Sequence, residues 1–481
     1  MNPGSGRQPG RKQRLFAALR SLLPLSGLLI VLVVIGVAVY RQWRFGSGHF
    51  AYTIGRTSDQ QLPQQEPWPG VDLTTTNAND FPEFLGPGRH VAVEQVALDP
   101  DWTARPPRLL WRHPIGAGWS AFAVVNGFAV TMEQRGKEEQ VTCYSATTGV
   151  HRWTAAWDTR FSVMGVGPRS TPTIAGGRVY ALGAWGHLAC IDGKTGDILW
   201  ERELLTELDL SWMEADRSLR FGRANSPLVA GGLVIVPGGG APGARVSLLA
   251  FDAATGEPRW RGGRRQASYS SPMLAELLGE TQVLIVNEDT VSGHSPITGN
   301  ELWSFPWSGN SSVDANVAQP VPLPGNRILL TKGYRCGATV IELTRRAAGE
   351  PIEAHRVWSA ASVLNTKFTN VAVWNRHAYG LSDGVLECVD LENGARCWKE
   401  GNYGHGQVLR VRDLLLVLGE TGELALVRLD PQTNAVLGRL QALTGTTWNN
   451  LALYGKYLLI RNATEAACYE LTTVATNADR M

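Results

Sequence analysis

A short turn ending in Gly, followed four residues later by Trp, occurs five times in this chain, and few folds accommodate that recurrence. The clearest copy runs from Cys190 to Trp200 and reads C-I-D-G-K-T-G-D-I-L-W. The others are Ser145-Ala-Thr-Thr-Gly149 with Trp153, Asp252-Ala-Ala-Thr-Gly256 with Trp260, Pro296-Ile-Thr-Gly299 with Trp303, and Asp390-Leu-Glu-Asn-Gly394 with Trp398. Trp358 ends a similar run after an insertion rich in Arg, Ala and Glu, and Leu429 to Leu440 is a worn copy with Gly438 in the Trp slot. Around Cys190 lies a longer unit that starts at Ser170. Its turn signals at Gly176-Gly177, Gly186 and Lys194 to Gly196 divide it into four short β-prone runs. One four-stranded antiparallel sheet cannot bury both of its faces alone, so the repeats must stack. The Trp residues are 40 to 60 positions apart, the range expected for propeller blades of four strands.

Complete units end near residues 153, 200, 260, 303, 358, 398 and 440, which makes seven. Trp448 to Leu471 then supplies about three strands without a closing Trp, and Leu109-Leu-Trp111-Arg-His113 supplies one strand with a Trp and no blade. The two leftovers fit each other. The expected fold is all-β: an eight-bladed propeller of four-stranded antiparallel blades over residues 81–475, its last blade closed by the N-terminal strand. Such closure limits exposed sheet edges that would template aggregation. Most of the 481 residues are then one domain, and a net charge of +2 without a basic run in the repeats gives no nucleic-acid footprint.

Ahead of the repeats, Arg7, Arg11, Lys12, Arg14 and Arg20 make a basic tail over residues 1–21. Leu22 to Tyr40 is uncharged for 19 residues, long enough for a transmembrane helix. A cleaved signal peptide is the alternative, but Arg41-Gln-Trp-Arg44 is a poor small-residue cleavage site. More cations precede the span than follow it, so the tail is expected inside and the propeller on the extracytoplasmic, periplasmic side. Residues 41–80, with Gln, Pro and Thr clusters, read as a flexible linker.

At Phe81-Pro-Glu-Phe-Leu-Gly-Pro-Gly-Arg89, leading to the Leu109 to Trp111 strand, the chain resembles the opening of bacterial PQQ-like (pyrroloquinoline-quinone repeat) β-propeller proteins. The resemblance continues through Gly167-Pro-Arg-Ser-Thr-Pro172, Asn225-Ser-Pro227 and Gly419-Glu-Thr-Gly-Glu-Leu-Ala-Leu426. It implies the fold. It does not select a function, because quinoprotein dehydrogenases and the outer-membrane assembly lipoprotein share the repeat. The dehydrogenases it resembles stack the quinone on two adjacent Cys. This chain has Cys143, Cys190, Cys336, Cys388, Cys397 and Cys468, and none are adjacent, so no PQQ, other cofactor or metal is expected. Cys388 and Cys397 flank a turn symmetrically and are expected directly opposite each other on neighbouring strands, as two thiols in contact or a disulfide.

No other motif carries chemistry. Gly193-Lys-Thr195 is a blade turn, because Leu188 stands where a phosphate loop needs Gly. Pro237-Gly-Gly-Gly-Ala-Pro-Gly243 precedes a strand and reads as an extended hairpin loop. The His residues are scattered, with no metal-ligand spacing. The top face remains. Residues leading into the inner strands should line the channel mouth, and Trp119, Arg169, Asn225, Tyr269, Asn316, Phe368, His405 and Trp448 are the candidate binding residues. Amides, hydroxyls and aromatics in that slot suit a polar ligand or peptide; alternatively they cap strand ends and hold water. The expected role is a non-catalytic binding or scaffolding module for an envelope protein or peptide. A PQQ-dependent oxidoreductase and an envelope ligand sensor are the rivals.

Overall fold

The structure is a computed structural model that describes residues 70–347 and 349–474. The basic tail, the apolar span 22–40 and the linker as far as residue 69 lie outside the described residues. Among the described residues no helix is long and apolar enough to cross a membrane.

Among the described residues there are eight antiparallel sheets, and all eight contain the expected four strands. Blades 1 to 7 span residues 123–158, 173–203, 228–262, 273–306, 321–360, 371–402 and 407–441. Blade 8 takes three strands from residues 452–470 and its outer strand, Arg108–Pro114, from the N-terminal side, pairing Arg108 with Glu470 and Pro114 with Glu465. The inner three strands of each blade are buried on both faces, and the apolar faces pack blade on blade.

Every outer strand carries a register shift at the residue before the Trp slot, for example between Ile198 and Trp200 and between Arg356 and Trp358. A bulge re-aims the side chain that follows it. The consequence is a contact repeated around the ring. The indole N–H of Trp111 donates to Ala146 O (2.9 Å), Trp153 to Gly193 O (3.0 Å), Trp200 to Ala253 O (3.2 Å), Trp260 to Pro296 O (3.3 Å), Trp358 to Leu391 O (2.8 Å) and Trp398 to Asp430 O (2.9 Å). Each acceptor belongs to the turn of the next blade, which is why the turn and the Trp recur together. Blade 5 has an insertion at that turn, and Trp303 donates instead to Gln282 Oε1 inside its own blade, at 2.7 Å. Gly438, the worn Trp slot of blade 7, is covered by Trp102, whose Cβ stands 2.5 Å from the position a Cβ at 438 would take.

The bulge also corrects the expected pairing of Cys388 with Cys397. Val389 pairs with Arg396, but Cys388 then pairs with Trp398, and Cys397 is the bulged residue. Both cysteines are free thiols, and Cys397 lies within hydrogen-bonding reach of Cys388. Burial pushes the Cys388 thiol far above its ordinary value, so it is an inert, protonated core group.

Gly256 shows what the turn requires. Its φ is +75°, and a Cβ there would lie 2.7 Å from Cδ2 of Trp200. Gly256→Ala is therefore expected to cost about 2–4 kcal/mol, from left-handed backbone strain and forced displacement of the indole. Gly231→Ala, with φ +56° and no atom within 4 Å of the added methyl, should cost only the backbone part, about 1–2 kcal/mol. Denaturant unfolding of the two variants measures the difference; equal costs would mean that the indole contact contributes nothing.

The opening box Phe81 to Arg89 closes the channel. Phe81 bridges Val124 of blade 1, and Pro82 O accepts from Ile174 N of blade 2. Arg89 donates to Ser226 O and Pro227 O at blade 3 and to Pro272 O at blade 4. Ala92–Val93 then adds a parallel fifth strand to the inner edge of blade 7, and Leu98 bridges Thr473 beyond blade 8. Val71 and Leu73, inside the segment read as linker, are buried against blades 1 and 2.

Candidate functional site

Residues leading into the inner strands bond blade to blade. Ala121 N donates to Thr171 Oγ1 (3.1 Å), Thr171 N to Ser226 Oγ (3.0 Å) and Ser226 N to Ser271 Oγ (2.8 Å). With its amide oriented to satisfy both partners, Gln319 accepts from Ser271 N (2.8 Å) and donates to Ser271 O (2.6 Å), and its own N–H donates to Asn370 Oδ1 (3.0 Å). Gln407 Nε2 reaches Phe368 O (3.1 Å) and Trp448 O (2.9 Å), and Asn449 Nδ2 reaches Gly118 O (3.2 Å) and Ser120 O (2.8 Å). Backbone groups at the channel throat, which would otherwise be buried unpaired, are thereby satisfied. Some side-chain acceptors have no protein partner, among them Asn225 Oδ1, Asn316 Oδ1, Gln407 Oε1 and Asn449 Oδ1.

This belt separates the eight candidate residues into two groups. Trp119, Phe368, His405 and Trp448 come together as one aromatic cluster at the mouth, contributed by the loops into blades 1, 6, 7 and 8. Trp119 stacks on Trp448 at 4.7 Å between centroids, Phe368 lies 5.0 Å from Trp448, and His405 lies 5.2 Å from Phe368. All four are half-buried. Glu420, which sequence reasoning missed, fixes the cluster: it accepts from Trp448 Nε1 at 2.8 Å and from His405 N at 3.0 Å. Its only sequence signal is the Gly419-Glu-Thr-Gly422 loop, read as part of the repeat. Burial, with Lys367 nearby, holds His405 below the ordinary imidazole value against the pull of Glu420 and Asp383, so the ring is neutral at pH 7.

The other four hold loops in place. Asn225 and Asn316 are buried and donate both amide hydrogens to backbone, Asn225 to Ser268 O and Ser270 O, Asn316 to Asn287 O, Glu288 O and Trp307 O. Buried Tyr269 donates its hydroxyl to Ser311 O at 2.7 Å and accepts from Phe221 N. Arg169 lies 4.3 Å above the Phe161 ring and donates to carbonyls of its own loop; burial pushes its guanidinium down to about 9, opposed by Glu139. Among the described residues no group of three His, Cys, Asp or Glu side chains is placed to hold a metal.

A family model described as outer membrane protein assembly factor BamB matches residues 102–219 and 137–400. No curated protein sequence matches the chain. Solved structures share the fold at low identity. BamB from Moraxella catarrhalis aligns with a TM-score of 0.52 and 13% identity over 76% of this chain and 100% of its own. Quinohemoprotein alcohol dehydrogenase from Comamonas testosteroni aligns with a TM-score of 0.57 and 13% identity over 83% of this chain and 81% of its own. The computationally designed Ika8 protein aligns with a TM-score of 0.51 and 12% identity over 76% of this chain and 98% of its own. At these identities the likeness is one of fold.

Proposed function

The chain belongs to the outer membrane protein assembly factor BamB family, and from that premise we propose that it is a membrane-anchored, extracytoplasmic propeller that binds an envelope protein or peptide without catalysis. The observation that carries this reading is the half-buried cluster of Trp119, Phe368, His405 and Trp448, set on a throat tied blade to blade. Rigid aromatic side chains at a partly desolvated centre are the usual anchors of protein interfaces. The binding reading is favoured over quinone chemistry because the cysteines include no adjacent pair on which a quinone could stack.

A photo-crosslinking residue at Phe368 should capture a partner in intact envelopes, whereas one at exposed Ile297, in the turn on the opposite face, should not. The double variant Trp119→Ala, Phe368→Ala should reduce recovery of that partner by about tenfold or more, with the melting midpoint lowered by only a few degrees because both side chains are half-buried. Undiminished recovery would overturn the reading. Anchoring is tested separately by reporters fused after Asp80, which should be active outside the cytoplasm; activity only inside would overturn that part.

A further inference from the structure

The connection from blade 2 to blade 3, residues 204–227, accounts for the 60-residue Trp spacing and carries two short helices, Leu204–Glu207 and Trp212–Ser218. Beneath it is a pocket away from the aromatic mouth, whose lining includes Trp185, Leu219, Arg223, Gly238 and Gln266. Arg223 is 3% exposed, and its guanidinium donates to Pro237 O and Gly238 O, both at 3.0 Å. No acidic side chain lines the pocket. Burial pushes Arg223 down to about 10, and no carboxylate offsets it. Gln266 is equally buried, and neither its amide oxygen nor its nitrogen has a partner. A buried charge without a counter-ion and a buried amide without bonds are both costly, and they share one wall.

That wall is the glycine run after Pro237. A Cβ on Gly239 would lie 3.0 Å from Gln266 Nε2, and one on Gly186 would lie 3.1 Å from Arg223 Nε. Side chains at those two positions would crowd the polar groups, and with φ of +92° at Gly239 and +102° at Gly186 both backbones already require glycine. Trp212 and Met213, 64% and 52% exposed, belong to the helix whose Ala215 and Ser218 line the pocket.

We propose that Arg223 and Gln266 form a carboxylate-binding subsite on the top face, the guanidinium pairing with the anion and the Gln266 amide donating to it. Each Nη of Arg223 keeps one N–H beyond its bond to a carbonyl, and one cation balances one charge. The carboxylate is either an acidic side chain or C-terminus of a peptide, or a free small carboxylate. This site is independent of the aromatic mouth and stands or falls without it.

The test uses the full-length, detergent-solubilised protein with 13C-labelled acetate at fixed chloride, read by saturable broadening of the carboxyl line and by the melting midpoint. Acetate should raise the midpoint, and inorganic phosphate at equal ionic strength should not. Gln266→Glu builds the counter-charge in: the midpoint should rise without ligand, and acetate binding should weaken tenfold or more. Arg223→Gln should abolish the response; because Arg223 also holds two carbonyls, Gln266→Leu provides the second variant and should weaken binding severalfold. A peptide ending in Asp that binds at least tenfold more tightly than acetate supports the subsite with a peptide as its source, and equal affinity supports it with a free carboxylate. A lowered midpoint in Gln266→Glu together with unchanged acetate binding overturns the proposal, as does an equal response to phosphate.

Discussion

Replacing Arg89 by Met should lower the unfolding free energy by about 3–5 kcal/mol, because the side chain is the bolt of the channel plug. It is 2% exposed and pairs with Glu83 at 2.8 Å. Its guanidinium also donates to Ser226 O at 3.0 Å, Pro272 O at 2.7 Å and Pro227 O at 2.5 Å, so one residue joins the plug to blades 3 and 4. Met preserves much of the apolar volume but leaves three buried carbonyls and a carboxylate without their donor, each unpaired group costing about 1–3 kcal/mol before relaxation. The backbone of the plug adds a second reason. Leu85, Arg89 and Val91 all have positive φ, at 65°, 63° and 56°. Such conformations persist only where surrounding contacts over-determine them. Without the guanidinium the strain has less to oppose it, and the plug should release. Arg89→Lys should recover less than half of the loss, since an ammonium cannot reproduce the fork. Chemical denaturation gives the energy, and amide exchange over residues 81–93 gives the release. A Met variant within 1 kcal/mol of the parent, with those amides still protected, would show that the plug is held by its backbone contacts alone.

The blades were legible because six of the eight junctions between them make the same demand. A turn carbonyl must meet the indole of the preceding blade, so turn and Trp travel together and can be counted. The closing strand was legible for the same reason: Leu109 to Trp111 carried the Trp that Trp448 to Leu471 lacked. The plug was not. Phe81 to Arg89 has no period, and its partners at Val124, Ile174, Ser226 and Pro272 are far along the chain. The bulge before each Trp was hidden as well, because counting outward from a hairpin turn assumes a continuous ladder. That is how Cys397 came to be placed opposite Cys388. Trp102 over Gly438 is a replacement in space that no local pattern announces. At the mouth, position in the repeat located residues around the ring but not their exposure. Tyr269 occupies the same slot as Trp119 and Trp448, and Asn225 the slot of Asn449 one position on, yet Tyr269 and Asn225 are consumed in holding loops. Arg223 and Gln266 lie just outside the slot, and only burial distinguishes them from other polar loop residues.

Deleting residues 1–115 should cause aggregation or a stability loss on the order of 5 kcal/mol or more, because it opens the ring at blade 8. The lost strand Arg108–Pro114 does more than complete a sheet. Trp111 donates to Ala146 O of blade 1, and Arg112 donates to Tyr469 OH at 2.8 Å. Next to it, fully buried Arg461 of blade 8 donates to Thr131 Oγ1 and Met132 O of blade 1, both at 2.9 Å, and to Gly116 O at 2.7 Å. Gly116 N in turn donates to buried Glu133, which is paired with Arg135. The deletion takes Trp111 and Gly116 N–H's neighbouring chain away and exposes that charged seam to an open edge. It also removes the plug, so a second chain is needed to separate the two effects. Moving residues 107–115 behind residue 474 through a short Gly-Ser linker restores the closing strand without the plug, since Arg108 pairs with Glu470 in an antiparallel ladder that a hairpin can supply. That rearranged chain should be soluble and more stable than the 1–115 deletion, but without the plug and buried Val71, Leu73 and Trp102 it should fall short of the parent by more than the cost of the Arg89 variant. Deletion of 1–69 should leave the melting midpoint unchanged, whereas a cut after residue 79 removes buried Val71 and Leu73, at about 1.5–3 kcal/mol each. If the rearranged chain aggregates as readily as the 1–115 deletion, the closing strand is not what keeps the ring shut, and the stability must be assigned to the plug.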